Sequence, residues 1–214
     1  MPYVMPSALA AWIGLVPETD SDKAAARTAL LTQLLGTAET RIHRVCGRTF
    51  YDRNPATGDG AVDPSDEFFT MSSYQEYLFL EDDLHELTAV SISDSTIPLS
   101  EIRLERFSSD PAFPYRALRR LDDSGSPRPW TSGFGDVNVK VTARWGWKEV
   151  PPGVAQCEMM IAARLYQRAT TTLGVVMDGD AAYGGDTMMM PRWDSDIADM
   201  LSDYCTARVF SGVA

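Results

Sequence analysis

The sequence predicts an α+β protein, a helical bundle with an inserted antiparallel β-module. Three observations predict it. Apolar residues recur at helical spacing up to residue 46 and again from residue 151. The stretch between them loses that period and alternates instead. Turn-forming clusters such as "NPATGDG" and "DDSGSPRP" punctuate the same stretch. The chain therefore divides into residues 1–47, the N-terminal part of the bundle, 48–147, the β-module, and 148–214, the C-terminal part of the bundle.

Taken in order, residues 7–14 predict a short helix with Ser7 as N-cap and Gly14 as its stop. A longer helix is expected over 23–46, after the capping acids of "VPETDSD". Its stripe is Leu30, Leu34, Ala38 and Ile42, widened by Leu31, Leu35, Val45 and Cys46, and Gly47 follows as C-cap. Strands are expected at 67–72, 76–80, 87–93, 101–107, 115–121 and 136–147; "YRALRRL" (115–121) also has the composition of a helical turn. The acidic "LEDDLHEL" reads as a solvated turn between two of these strands. The helical period resumes at 151–168, where prolines open the helix because its first N–H groups have no helical partner. Val154, Cys157, Ile161 and Leu165 form its inward stripe. After a Gly-, Met- and Asp-rich loop, a last helix is expected over 194–210, capped by Asp194, with Ile197, Leu201, Tyr204 and Cys205 inward. The long first helix should pack on the two C-terminal ones, bringing one cysteine from each together.

With 214 residues, 44% hydrophobic and 23% charged, the chain has the composition of an ordinary globular protein able to bury a sizeable core. No apolar run is long enough for a transmembrane helix. The N-terminus lacks the basic start and unbroken apolar core of a secretory signal and is expected to be native structure. A net charge of −11 has the wrong sign for gripping a phosphate backbone. The cysteines, Cys46, Cys157 and Cys205, are widely spaced and odd in number, which fits small buried hydrophobes folded in a reducing cytoplasm.

Catalytic signatures are missing: no nucleophile elbow, phosphate loop or dinucleotide fingerprint occurs. His85 lies among Glu81, Asp82, Asp83 and Glu86, but without the soft donors and spacing of a zinc site. Asp178, Asp180 and Asp186 lack the alternate ligands and closing glutamate of a helix–loop–helix calcium site. His43, beside the long helix's stripe, reads as a partly buried or capping side chain. The expectation is therefore no catalytic residue, no cofactor and no metal. What stands out instead suits contact with another chain. Met188, Met189 and Met190 form a flexible, polarizable run in the long loop. Arg164 and Arg168 lie four apart on one helix, and Arg192 and Arg208 bracket the last one. Surface ion pairs near helix ends account for such arginines; so does a head-to-tail interface against a neighbour's carboxylates. Trp193 and Phe210 complete the candidate interface.

In "VNVKVTARWGWKEVPPGV" (137–154), Val137, Val139, Val141, Ala143, Trp145 and Trp147 alternate, placing all six on one strand face. Gly146 leaves room on the other face or permits a bulge. With Pro151 and Pro152 starting a helix just beyond, Trp145, Gly146 and Trp147 are expected to join the β-module to the bundle.

These motifs resemble those of the head–tail connector, or adaptor, proteins of long-tailed double-stranded-DNA bacteriophages. Cys46–Gly47–Arg48 followed by Phe50 and Tyr51 matches a helix end of that family. Trp145–Gly146–Trp147 followed by Val150–Pro151–Pro152 matches its last strand and next helix start. The resemblance covers about 24–210. It implies a non-enzymatic virion protein of the neck, made in the host bacterial cytoplasm. It also implies a homo-oligomeric ring, usually of twelve subunits, with the portal above and a neck or tail-completion protein below. Double-stranded DNA would pass through without specific binding, and no membrane is involved. The alternative reading is a β-rich carbohydrate- or protein-binding module on a helical mount, using exposed aromatics such as Trp130 or Trp193.

Overall fold

The computed structural model describes residues 2–53, 64–71, 75–131, 136–170 and 195–205. The described residues are α+β, forming four α-helices and one six-stranded antiparallel sheet. Met1–Arg48 together with Val150–Ala214 form one compact unit, and Thr49–Glu149 form a second.

The helical unit contains α1 (Pro6–Trp12), α2 (Ser21–Cys46), α3 (Pro152–Thr170) and α4 (Ser195–Ser202). Helix α1 starts one residue earlier than expected, because Pro6 occupies its first turn, and Ser7 is inside the helix rather than its cap. Asp20 caps α2 by accepting the N–H groups of Asp22 (3.0 Å) and Lys23 (3.3 Å). Gly47 ends that helix in the left-handed conformation, φ 66°, donating its N–H to the His43 carbonyl. The buried seam of α2 is Leu31, Leu35, Ala38, Ile42 and Cys46, with Leu30 exposed and Leu34 only half-buried. Ala38 and Ile42 are buried as expected, while Leu31 and Leu35, expected at the stripe's margin, replace Leu30 and Leu34 in the seam. Helix α3 packs on α2 and α4, and α1 packs on α2 and α3. Its inward stripe is Val154, Cys157 and Ile161, with Leu165 half-buried at its far end. Helix α4 is shorter than expected. It ends at Ser202, whose hydroxyl donates back to the Asp199 carbonyl, and Tyr204 follows in a tight turn to Leu201. Asp194, 206–210 and the loop 171–192 lie outside the described residues.

The second unit contains β1 (Ser65–Met71), β2 (Tyr77–Ile92), β3 (Ser95–Ile97), β4 (Ile102–Glu105), β5 (Tyr115–Arg120) and β6 (Val137–Trp145). The sheet order is β1-β6-β2-β5-β4, with β3 paired to β2. The largest departure from the sequence reading is β2. Two short strands and an acidic turn were expected, but Tyr77–Ile92 is one strand of 16 residues. Its first half pairs with β5 (Leu78 opposite Leu118) and its second with β6 (Val90 opposite Val141). Register irregularities fall between Phe79 and Leu84, Leu84 and Glu86, and Leu87 and Ala89. Bulges let the chain bend and change partner without leaving the sheet, so an acidic stretch reads as a turn while remaining extended. At its end, Ser93 and Asp94 both take positive φ (46° and 68°), the geometry of a tight hairpin into β3.

Leu78, Leu84, Val90, Leu118, Val139, Val141 and Trp145 belong to one apolar cluster, so both halves of the sheet close over a shared core. Trp130 joins that cluster, 1% exposed, its indole N–H donating to the Glu76 carbonyl at 3.1 Å. It therefore cannot serve as the exposed aromatic of a binding module.

Candidate functional site

The two tryptophans of the 137–154 stretch do not share a face. Strand β6 ends at Trp145. Gly146 then adopts φ +94°, which turns the chain and sends Trp147 elsewhere. Trp145 packs beside Phe69 in the sheet core and donates its indole N–H to the Ser65 carbonyl at 3.0 Å. Trp147 instead lies between Phe50 and Phe113, with ring centroids 5.3 and 5.1 Å away. Its indole N–H donates to the buried Asp83 carboxylate at 2.8 Å, and Arg116 holds the other oxygen of that carboxylate at 3.1 Å. Asp83 is 4% exposed, so this charge is stabilised by pairing. The Gly146 N–H donates to the Asp83 carbonyl at 2.6 Å, and the Trp147 N–H to the Tyr51 carbonyl at 3.2 Å. A Cβ on Gly146 would fall inside 3.0 Å of the Tyr51 carbonyl oxygen. Glycine is therefore required by close backbone approach as well as by φ.

Around this knot sit further ion pairs. Arg144 pairs with Asp52 and with Glu86 (3.4 Å), and Arg53 with Asp82 and Glu67 (3.3 Å). Burial, together with the Asp82 charge, pushes Glu67 up to about 6. His85 is nearly buried 3.8 Å from Asp52, and burial lowers its pKa. No group of three or more His, Cys, Asp or Glu side chains suited to a metal occurs among the described residues.

A second buried polar group lies in the helical unit. Glu158 of α3 is fully buried and accepts the backbone N–H of Tyr3 at 3.2 Å. Burial pushes its carboxyl up to about 7, and Oε2 has no hydrogen-bond partner among the described residues. Glu39 is 3.8 Å from His43, whose ring bonds the Tyr3 hydroxyl; burial lowers the His43 pKa. Nothing in the local sequence pattern marks either glutamate as buried.

One face of the sheet carries an aromatic row in which Phe79 and Phe107 are exposed and Tyr77 is half-buried. Tyr77, Phe79 and Phe107 stack at 6.0 and 6.2 Å, and the Arg119 guanidinium lies over Tyr77 at 4.9 Å. A cavity of about 430 Å³ in the same unit is lined by Ile97, Glu101, Arg120, Arg128, Trp130 and Thr131, among others. Its charged groups are an Arg120–Glu101 pair (3.4 Å) and Arg128, with no nucleophile set against a base.

Of the interface residues named from sequence, Arg164 is half-buried and Arg168 exposed on the last turns of α3. Met188, Met189, Met190, Arg192, Trp193, Arg208 and Phe210 lie outside the described residues. Pro151 is buried and its carbonyl accepts the Ala155 N–H at 3.1 Å, while Pro152 is the exposed first residue of α3.

No family model matches the chain, and no curated protein does. Among solved structures, the fold is similar to a chain of the neck of an empty GTA particle computed with C6 symmetry. That similarity has a TM-score of 0.50 at 17% identity, covering 98% of this chain and 93% of the other.

Proposed function

We propose that the protein is a structural adaptor of a virion neck. In this reading copies form a ring beneath the portal, extend the DNA channel and join capsid to tail. The observation that carries it is the fold likeness, over nearly the full length of both chains, to a neck chain of a GTA (gene transfer agent, phage-like) particle. The helix-end and Trp-Gly-Trp motifs point the same way from sequence. A ring of twelve is compatible with the six-fold symmetry of that neck. The portal above and a neck or tail-completion protein below are the partners, in a particle assembled in the bacterial cytoplasm. A net charge of −11 supports passage of DNA without tight binding, since like charges repel at close range. No residue is assigned to catalysis, cofactor or metal. Trp145, Gly146, Trp147, Pro151 and Pro152 fix the passage from sheet to α3. Arg164, Arg168, Met188, Met189, Met190, Arg192, Trp193, Arg208 and Phe210 are assigned to contacts between chains.

Electron microscopy of the purified protein, alone and with the portal of its particle, tests this reading. Rings, or rings formed only with portal, are the expected result. Deleting 178–190 should leave the fold intact and impair assembly; normal assembly by the deletion variant would remove the loop from the interface. The Tyr77–Phe79–Phe107 row, exposed at Phe79 and Phe107, is the one observation that favours the binding-module alternative. A strict monomer that binds glycans on an array and never joins portal would establish that alternative.

A further inference from the structure

All three cysteines of the helical unit are thiols, and two of them touch. Cys46 is the last residue of α2, and Cys205 follows α4; their sulfurs share a hydrogen bond at 3.2 Å although 159 residues separate them in sequence. We propose that Cys46 and Cys205 are a dithiol site that closes into a disulfide by exchange with a small-molecule disulfide, stapling the segment after α4 to the end of α2.

The geometry favours this pair. A disulfide needs sulfurs about 2.05 Å apart, so closure asks for an approach of roughly 1 Å, within reach of side-chain rotation. The surroundings also divide the roles. Cys205 is half-buried and so open to a reagent, and the bond to Cys46 lowers its thiol pKa. Cys46 is fully buried, and that same bond, then burial, raises its thiol pKa. Cys157 is also buried, and burial pushes its thiol up to about 11.

The exchange balances. The Cys205 thiolate attacks one sulfur of oxidised glutathione, its S–S bond breaks, and one glutathione thiolate leaves with the bonding pair. The Cys46 thiol loses its proton to that thiolate or to water, and its sulfur attacks the Cys205 sulfur of the mixed disulfide. The second glutathione leaves as thiolate and is protonated. Two protein thiols are oxidised and one glutathione disulfide is reduced to two thiols. Helix α4 has eight residues, too few to persist without tertiary support. Its buried contacts are Ile197 and Leu201. The staple would hold its far end covalently. This chemistry does not depend on the neck reading.

The test uses the full chain, purified reduced and incubated with oxidised glutathione over a range of glutathione ratios. Thiols are then counted under denaturing conditions, and linked peptides are mapped by non-reducing mass spectrometry. The expected result is loss of two thiols of three, a single intrachain Cys46–Cys205 link, and a raised thermal midpoint on oxidation. Cys157→Ser should retain the link. Cys205→Ser, at the half-buried position, should abolish both link and midpoint shift while keeping the reduced midpoint. A persistent glutathione adduct on Cys205, a Cys46–Cys157 link, or only intermolecular links would overturn the assignment.

Discussion

Replacing Gly146 by alanine isolates the contribution of the close backbone approach at the end of β6. The added Cβ would meet the Tyr51 carbonyl oxygen inside 3.0 Å, its carbon at 3.2 Å and the Arg53 nitrogen at 3.3 Å. All three are main-chain atoms, which cannot swing aside. Relief requires the Tyr51–Arg53 segment to retreat, and with it the Trp147 N–H bond to Tyr51 (3.2 Å) and the Arg53 N–H bond to Trp145 (2.9 Å). The positive φ adds about 1–2 kcal/mol for any residue with a Cβ, and each weakened bond about 0.5–1.5 kcal/mol. Gly146→Ala should therefore cost about 2–5 kcal/mol from these parts, and more once the steric clash is added. Gly125 supplies the control. It has φ +77° and nothing within 4 Å of a Cβ, so Gly125→Ala should show the conformational part alone, about 1–2 kcal/mol. Urea denaturation followed by tryptophan fluorescence measures both, since Trp145 and Trp147 flank the site. If the two substitutions cost the same, backbone approach at Gly146 contributes nothing and the argument fails.

Other outcomes follow from the same contacts. Trp145→Ala should cost about 3–5 kcal/mol by opening a cavity in the sheet core, read from the urea midpoint; unchanged stability would mean the side chain is not packed as described. Trp147→Phe keeps the ring contacts to Phe50 and Phe113 but leaves one Asp83 oxygen without its indole donor, at an expected cost of about 1–3 kcal/mol. Arg116→Met in that background should add less than it does alone, because both changes act on the same carboxylate. Glu158 has its folded pKa raised from 4.5 to about 7. Its contribution is thus fully present below about pH 4.5 and is lost as pH rises through 7. Glu158→Gln should remove that loss, so its stability relative to wild type rises between pH 5 and pH 8, by no more than roughly 3 kcal/mol. Thermal melts across this range that ran parallel for both proteins would rule out titration of Glu158.

The helices were legible where period and punctuation agreed. Asp20, Gly47 and the prolines at 151–152 mark ends that depend on local chemistry, and those ends fall within a few residues of expectation. The exact buried seam of α2 was not legible, because Leu30 and Leu31 offer equally apolar stripes and only the packing of α3 selects one. Strand β2 was misread for a related reason. Glu81, Asp82, Asp83, His85 and Glu86 look solvated when read singly, yet Asp83 is buried because Arg116 and Trp147, distant in sequence, satisfy it. Glu39 and Glu158 belong to the same class, since burial of a charge depends on partners a local pattern does not contain. The alternation over 137–147 was read one residue pair too far. It was the conformation at Gly146, not hydrophobicity, that decided where Trp147 went.

Strand β2 has a mechanical consequence. At about 3.3 Å per residue, its 16 residues form one span of roughly 50 Å that belongs to both halves of the sheet. Tension along that span loads its lateral hydrogen bonds in shear, many at once, whereas a hairpin pulled at its open end yields them one after another. The bulges act as flexure points where the span can bend while the covalent backbone stays continuous. A pull delivered at the β5 side is thus passed to the β6 side through a single continuous strand.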